Sequence, residues 1–452
     1  MIEKVIKAGL KKIPFIHRKF DMHMMEVIRG TVVAFSVRAF GAVLALGFNW
    51  LLAKKCGADG AGLYFLALSV LTVGTVIGKL GLDNSLLRFI ASNASIHNWK
   101  AVKGVYAKGM ALALLASGLL SLAVYFLSSN VALFVFHKPE LTEPLHWMAI
   151  AITPMSFLTL QAEALRGLKR IEDSVLLTGV LIPGFSATVL WFLGNKMGAS
   201  GATLAYLIGC LLTAFIGLGL WYRAVPQLKN LKGRFRNSDL LKSSMPLFWT
   251  SIFETLTNWM SIFILGLWAT KSEIGIYGTA FRIAAAVSMI LIAVNSISAP
   301  KFAALYKKKQ IKELTQTVRQ TTKLMTLIAG PLLVLFLMFP DFIMGLFGPE
   351  FKSGGIILAV LAVGQFVNVI TGSVGYLLVM SGNEKLIRNR SVVFAVFSLI
   401  LNVTLIPLWG LLGAAIATSI GVAATNLVGV YLVNEKLGIW TIPFMPRETI
   451  NG

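Results

Sequence analysis

Cysteine is nearly absent from this chain. Cys56 and Cys210 are the only two in 452 residues, so neither a disulfide framework nor a thiolate metal site can be drawn. Histidine is as sparse, five residues without ligand spacing, and no GxxxxGK[ST] loop exists to hold a nucleotide. No cofactor is implied. Charge is scarce too, at 13% of residues, whereas 56% are hydrophobic and the mean hydropathy is +0.78. A water-soluble domain could not hide that much apolar surface, so lipid is the expected solvent.

Reading apolar runs against charged punctuation gives an all-α polytopic membrane protein of about twelve spans. They lie at roughly 30–53, 61–80, 105–127, 145–165, 174–194, 201–222, 245–269, 276–299, 322–340, 355–380, 391–408 and 412–433. The cations then set orientation. One side holds Lys4 to Arg29, Lys100 to Lys108, Arg166 to Arg170, Arg223 to Lys242, Lys307 to Arg319 and Lys385 to Arg390. The other offers Lys54, Lys55, Lys138, Lys196, Lys271 and Lys352. The richer side is cytoplasmic by the positive-inside rule, with both termini there. The net charge of +22 is thus accounted for by topology and anionic headgroups, and no nucleic-acid partner is expected. Residues 1–13 alternate apolar and lysine faces, which suits a helix on the inner membrane surface rather than a cleavable signal.

The chain looks duplicated. An offset of 213 pairs Gly62 with Gly275 and Tyr64 with Tyr277 in the turns after spans 1 and 7, and an offset of 212 pairs Gly198 with Gly410 before spans 6 and 12. Six spans per half leave both halves parallel, and transport sites of such repeats form between them. The expected organisation is a basic amphipathic segment 1–29, a six-helix lobe 30–222, a basic linker 223–243, a second lobe 244–433 and a tail 434–452, with a central cavity between the lobes.

The GADGAGLYF turn, the GLDNSLLRFIAS segment, the LRGLKR turn and the GASGATLA stretch opening span 6 together resemble a known family. It is the O-antigen and capsule-type oligosaccharide flippases of the multidrug/oligosaccharidyl-lipid/polysaccharide exporter superfamily. The resemblance implies a transporter of a bacterial inner membrane, monomeric, that moves an undecaprenyl-pyrophosphate-linked oligosaccharide to the periplasmic leaflet. Membrane lipid, a polysaccharide polymerase and glycosyltransferases are the partners it implies. Related flippases of lipid-linked peptidoglycan precursors carry arginines on spans 1 and 8, where this chain has Arg38 and Arg282.

Ionisable groups inside spans are costly, so each is a functional candidate. Arg38 and Arg282 are candidate cavity cations for a pyrophosphate; snorkelling to headgroups is the competing role for both. Glu254 is the clearest intramembrane carboxylate. The repeat offset sets it one turn from Arg38 on pseudo-equivalent helices, so an Arg38–Glu254 approach across the lobes is expected. Glu254 is then either a structural partner or a proton or sodium site that gates Arg38. Lys79 and Arg88, with Asp83, are candidates for catching cargo at the cytoplasmic mouth; boundary anchoring is the alternative. Glu163 and Arg166 are spaced for a local ion pair. Asn49, Asn258, Asn295, Gln365, Asn368 and Asn402 supply amides for sugar contacts or interhelical bonds.

Two other functions compete. A multidrug antiporter would want acidic groups for cationic drugs, whereas two buried arginines face one carboxylate. A membrane-embedded polymerase or ligase needs a large outer loop with an acid–base constellation, and residues 128–144 carry only His137, Lys138, Glu140 and Glu143.

Overall fold

A computed structural model describes residues 22–228, 231, 233, 235 and 237–443. The surface helix expected over 1–13 and the linker cations Lys229, Lys232, Arg234 and Arg236 lie outside the described residues. Helices run in the order α1 (Met22–Gly78), α2 (Leu82–Ser95), α3 (Trp99–Asn130), α4 (Thr142–Gly167), α5 (Ile171–Val175) and α6 (Ile182–Ala224). The second half comprises α7 (Asn237–Trp268), α8 (Lys271–Lys307), α9 (Ile311–Met338), α10 (Pro340–Gly345), α11 (Gly355–Ile370), α12 (Val374–Met380) and α13 (Glu384–Leu437). No strand occurs among the described residues.

The longest helices are hairpins. Phe48 and Tyr64 lie sixteen residues apart in α1, about 24 Å along a straight helix, yet their rings are 5.6 Å apart. The chain turns at Gly57, whose φ of 66° no side-chain-bearing residue adopts cheaply. In α6 and α13 it turns at Gly198 (φ 53°, ψ −130°) and Gly410 (φ 55°, ψ −128°). The two turns are the same turn, at the two positions that the sequence offset pairs. Nine segments among the described residues are long and apolar enough to cross a bilayer. Two of these, Ser36–Gly78 and Asn389–Leu437, each fold back as two crossings, and α7 adds another apolar helix. The fold is the expected bundle of about twelve spans in two lobes. Trp50, Trp191, Trp268 and Trp409, near the ends of the spans on the side poorer in cations, are exposed, as an aromatic belt requires.

The lobes are joined unequally. On the face carrying Gly57, Gly198 and Gly410, one apolar cluster takes in side chains of both, among them Leu52, Tyr64 and Phe65 with Ile274 and Tyr277. Toward the opposite face the cores are separate: Leu86, Ile90 and Val105 belong to one cluster, Phe302, Leu314 and Val318 to another. The apolar cores therefore merge at one end and stay separate at the other, where the start of α7 still touches the first lobe. Ser85 Oγ lies 3.2 Å from Ser243 Oγ, and a Cβ on Gly81 would lie 2.7 Å from the Ser244 carbonyl oxygen.

The fused end is a near-symmetric clasp. A Cβ added to Gly62 would lie 1.9 Å from the Lys271 carbonyl oxygen, and one added to Gly275 would lie 2.0 Å from that of Ala58. Residues 58 and 271 are themselves 213 apart, so a pseudo-twofold axis passes between the paired glycines. Each presents a Cα hydrogen to a carbonyl across the seam, a weak C–H···O contact worth about 0.5–1 kcal/mol, and small residues let the backbones close.

Candidate functional site

Around the clasp, polar bonds bridge the lobes. Lys138, between α3 and α4, donates to the Gly266 carbonyl at 2.8 Å. Lys271 pairs with Glu140 at 2.8 Å, an exposed contact of small worth, and Trp50 Nε1 donates to the Leu346 carbonyl at 3.1 Å. Burial, with Lys271 nearby, pulls the Lys138 ammonium's pKa below its ordinary 10.5. A clasped state therefore holds this proton less tightly than an open one in which Lys138 is hydrated. Raising pH from the lowered value toward 10.5 favours the clasp. Cys56 stands next to Gly57, where an added Cβ would lie 3.0 Å from the Glu350 carboxylate of the second lobe, so its thiol reports the seam. Its own bond, to the Gly198 carbonyl at 3.3 Å, stays within the first lobe. Its labelling by an impermeant maleimide, normalised to a free thiol at each pH, should fall across that alkaline window.

Just beneath the clasp lies Arg282, on α8. Its guanidinium sits over the rings of Phe65 (5.2 Å) and Trp259 (5.8 Å). Phe65 comes from the first lobe and Trp259 from the second, and Tyr64 of the first lobe packs at 5.6 Å from Phe65. Arg282 has no carboxylate partner among the described residues, so the cation is held by aromatic faces at the seam rather than neutralised.

Arg38 is exposed on α1 and has no partner among the described residues. Glu254 does not meet it. Glu254 Oε1 accepts from Ser391 Oγ at 3.5 Å, and the cation facing it is Arg390, both on α13. The expected Arg38–Glu254 approach is thus corrected. The offset matched residues of α1 and α7 within their own lobes, but α7 packs its Glu254 face against α13, inside the second lobe. Lys79 is not a free cation either: its ammonium binds Asp83 at 2.6 Å. Arg88 is exposed, its guanidinium 5.8 Å from the Phe89 ring. The Glu163–Arg166 pair forms as spaced, at 3.2 Å.

Residues 27–306 match the family described as polysaccharide biosynthesis protein. The chain belongs to that family. Residues 246–408 also match the family described as MatE. The chain is 24% identical over 420 residues to the probable low-salt glycan biosynthesis flippase Agl15 of Haloferax volcanii, covering 92% of this chain and 85% of that protein. It is 21% identical to the putative O-antigen transporter of Shigella flexneri, over 92% of this chain and 100% of that one. Two solved structures share the fold at TM-score 0.72. One is the inward-facing conformation of a multidrug resistance MATE family transporter of the MOP superfamily, 16% identical over 90% of this chain and 98% of that one. The other is the lipid II flippase MurJ in an inward closed conformation, 18% identical over 88% and 87%. The relatives are flippases and transporters rather than enzymes, and the resemblance read from the sequence motifs is borne out.

Within this family's fold, sequence reasoning missed the second lobe's interior. Arg390 had counted only as an inner-loop cation, yet it lines a cavity of about 410 Å³ together with Glu254, Asn258, Gln365 and Asn368. The signal was slight: Arg390 stands six residues after the Gly-Asn-Glu turn at 382–384, just before the span expected to begin at 391. The structure puts it at the start of the apolar segment Asn389–Leu437. The six amides divide cleanly. Asn49, Asn295 and Asn402 are buried in bonds to Ala45, Ser373 and Ser261. Asn258, Gln365 and Asn368 line the cavity.

Proposed function

We propose that the chain is a flippase that carries an undecaprenyl-pyrophosphate-linked oligosaccharide from the cytoplasmic to the periplasmic leaflet of a bacterial inner membrane, by alternating access. The observation that carries the reading is an unneutralised guanidinium, Arg282, at the seam between two matched lobes whose apolar cores merge at one end and stay separate at the other. The charge asymmetry makes the end with the merged core the outer one, with both termini cytoplasmic, so the smaller contact of Gly81 and Ser85 with the start of α7 is the cytoplasmic gate.

The headgroup enters once that inner contact opens, while the polyprenyl tail stays in lipid. Arg38, exposed near the inner side, makes the first charge-assisted contacts with the pyrophosphate, and Arg282 takes it over deeper in. A rigid guanidinium fork suits phosphate oxygens in a way an ammonium does not. Arg88 stays an exposed mouth cation, and Lys79 contributes only if cargo displaces Asp83. Glu254 is the coupling or gating group, acting on Arg390 from a distance: an ion binding the carboxylate removes the negative charge that faces the guanidinium. Opening the clasp between the lobes 30–222 and 244–433 releases the cargo outward. Lipid is the environment, the working unit is a monomer, and a polymerase and glycosyltransferases supply and consume the cargo.

Cells in which this chain is the sole candidate flippase test the reading directly. Depleting it should leave lipid-linked oligosaccharide in the cytoplasmic leaflet and remove surface glycan; undiminished surface glycan would contradict it. The match to the MatE family gives the drug-antiporter reading its one footing. Energy-dependent efflux of a cationic dye, abolished by Glu254→Gln, would favour that reading; no efflux in wild type is the outcome expected here.

A further inference from the structure

We infer that the cavity inside the second lobe is a saccharide subsite selective for an acidic sugar, a glycosyl unit bearing a carboxylate. The inference rests on the flippase reading and names the cargo's chemistry at a site apart from the seam. The cavity lies between α7, α8, α11 and α13, all in one lobe, and its volume of about 410 Å³ is in the range of small-molecule sites.

Its lining is unusually polar for the interior of a membrane bundle. The side-chain amides of Asn258, Gln365 and Asn368 have no hydrogen-bond partner among the described residues, although each faces the cavity. The hydroxyls of Thr257, Ser288 and Thr425 spend their protons on carbonyls of their own helices and turn only lone pairs outward. Planar amides and lone pairs at this density match vicinal sugar hydroxyls, each of which donates once and accepts twice. Phe281 and Phe394 supply apolar walls for the C–H faces of a ring.

Arg390 sets the charge preference. Its Nε and Nη1 are buried without a partner, and Gly429 makes room for them: a Cβ there would lie 2.6 Å from Nη1. No ion pair within 4 Å offsets this guanidinium among the described residues, and Glu254 faces it from farther away. A buried cation left so is costly, and an incoming anion relieves it. Glu254 decides which anion. A multiply charged pyrophosphate beside that carboxylate would be repelled, whereas a singly charged carboxylate can sit on Arg390 while neighbouring hydroxyls donate to Glu254.

The test uses the full chain purified in nanodiscs, with saturation-transfer NMR to D-glucuronate, D-glucose and acetate. Glucuronate should compete about tenfold more effectively than either of the others, the difference made by one charge-assisted hydrogen bond or by the ring hydroxyls. Arg390→Gln should abolish the preference over glucose, and Asn368→Ala the preference over acetate. Equal competition by all three in the wild type overturns the inference, as does an absence of saturation transfer to any of them. Inorganic phosphate displacing glucuronate at equal concentration would also overturn it, by showing a plain anion site. None of these outcomes touches the flippase reading, which stands or falls on export and on Arg282.

Discussion

Gly62→Ala and Gly275→Ala are each expected to stop glycan export while leaving the protein inserted at normal levels. The added methyl would overlap a carbonyl oxygen at 1.9 or 2.0 Å, and the obstacle is backbone rather than a flexible side chain. The helices must separate, and overpacking of this kind costs about 1–3 kcal/mol. Applied to a two-state clasp, that shifts the closed-to-open ratio roughly 5- to 150-fold. An alternating-access carrier that no longer closes outward cannot reload. The readout is Cys56: its labelling from outside should rise in both mutants, while buried Cys210 stays unreactive. Gly118→Ala and Gly219→Ala are the controls, since nothing lies within 4 Å of the added methyl at either place. Loss of export in the controls, or unchanged Cys56 labelling in the clasp mutants, would remove the clasp from the mechanism.

Arg282→Ala is expected to reduce export by about tenfold or more, and Arg282→Lys nearly as much. A charge-assisted bond to phosphate contributes about 1.5–3 kcal/mol, and lysine keeps the charge but loses both the fork and the stacking on Phe65 and Trp259. Arg282→Met separates transport from packing, because methionine fills the space between the rings without a charge. Export should be lost in Arg282→Met while clasp closure, read by Cys56, is kept. Retained export would make Arg282 an aromatic-cage anchor and nothing more. Arg38→Ala should lower export less, because Arg38 is exposed and water shares its work.

The spans, the pairing of lobes and the matched turns at Gly198 and Gly410 were legible because they follow from local rules. Lipid demands apolar runs of a set length, and a turn that needs φ near 55° with ψ near −130° demands glycine at both Gly198 and Gly410. The family itself was legible in the turn motifs. Side-chain partners were not. Arg282 and Glu254 could be picked out as charges in lipid, but the rings around one and the guanidinium facing the other come from helices far apart in sequence. The Arg38–Glu254 expectation failed for that reason: an internal repeat relates positions within lobes and says nothing of which face of α7 meets α13. Lys79 shows a milder form, since Asp83 stood four residues away and its capture of the ammonium was readable from spacing alone. The cavity around Arg390 needed five helical segments placed together, which no local pattern encodes.

The most direct measurement is translocation by the purified chain in proteoliposomes. Undecaprenyl-pyrophosphate-linked oligosaccharide is placed in one leaflet, and its arrival in the other is followed by a glycosidase confined outside. The account predicts arrival with wild type and little above empty vesicles with Arg282→Ala. Equal arrival with both proteins, or none with wild type under an imposed ion gradient and potential, would contradict it.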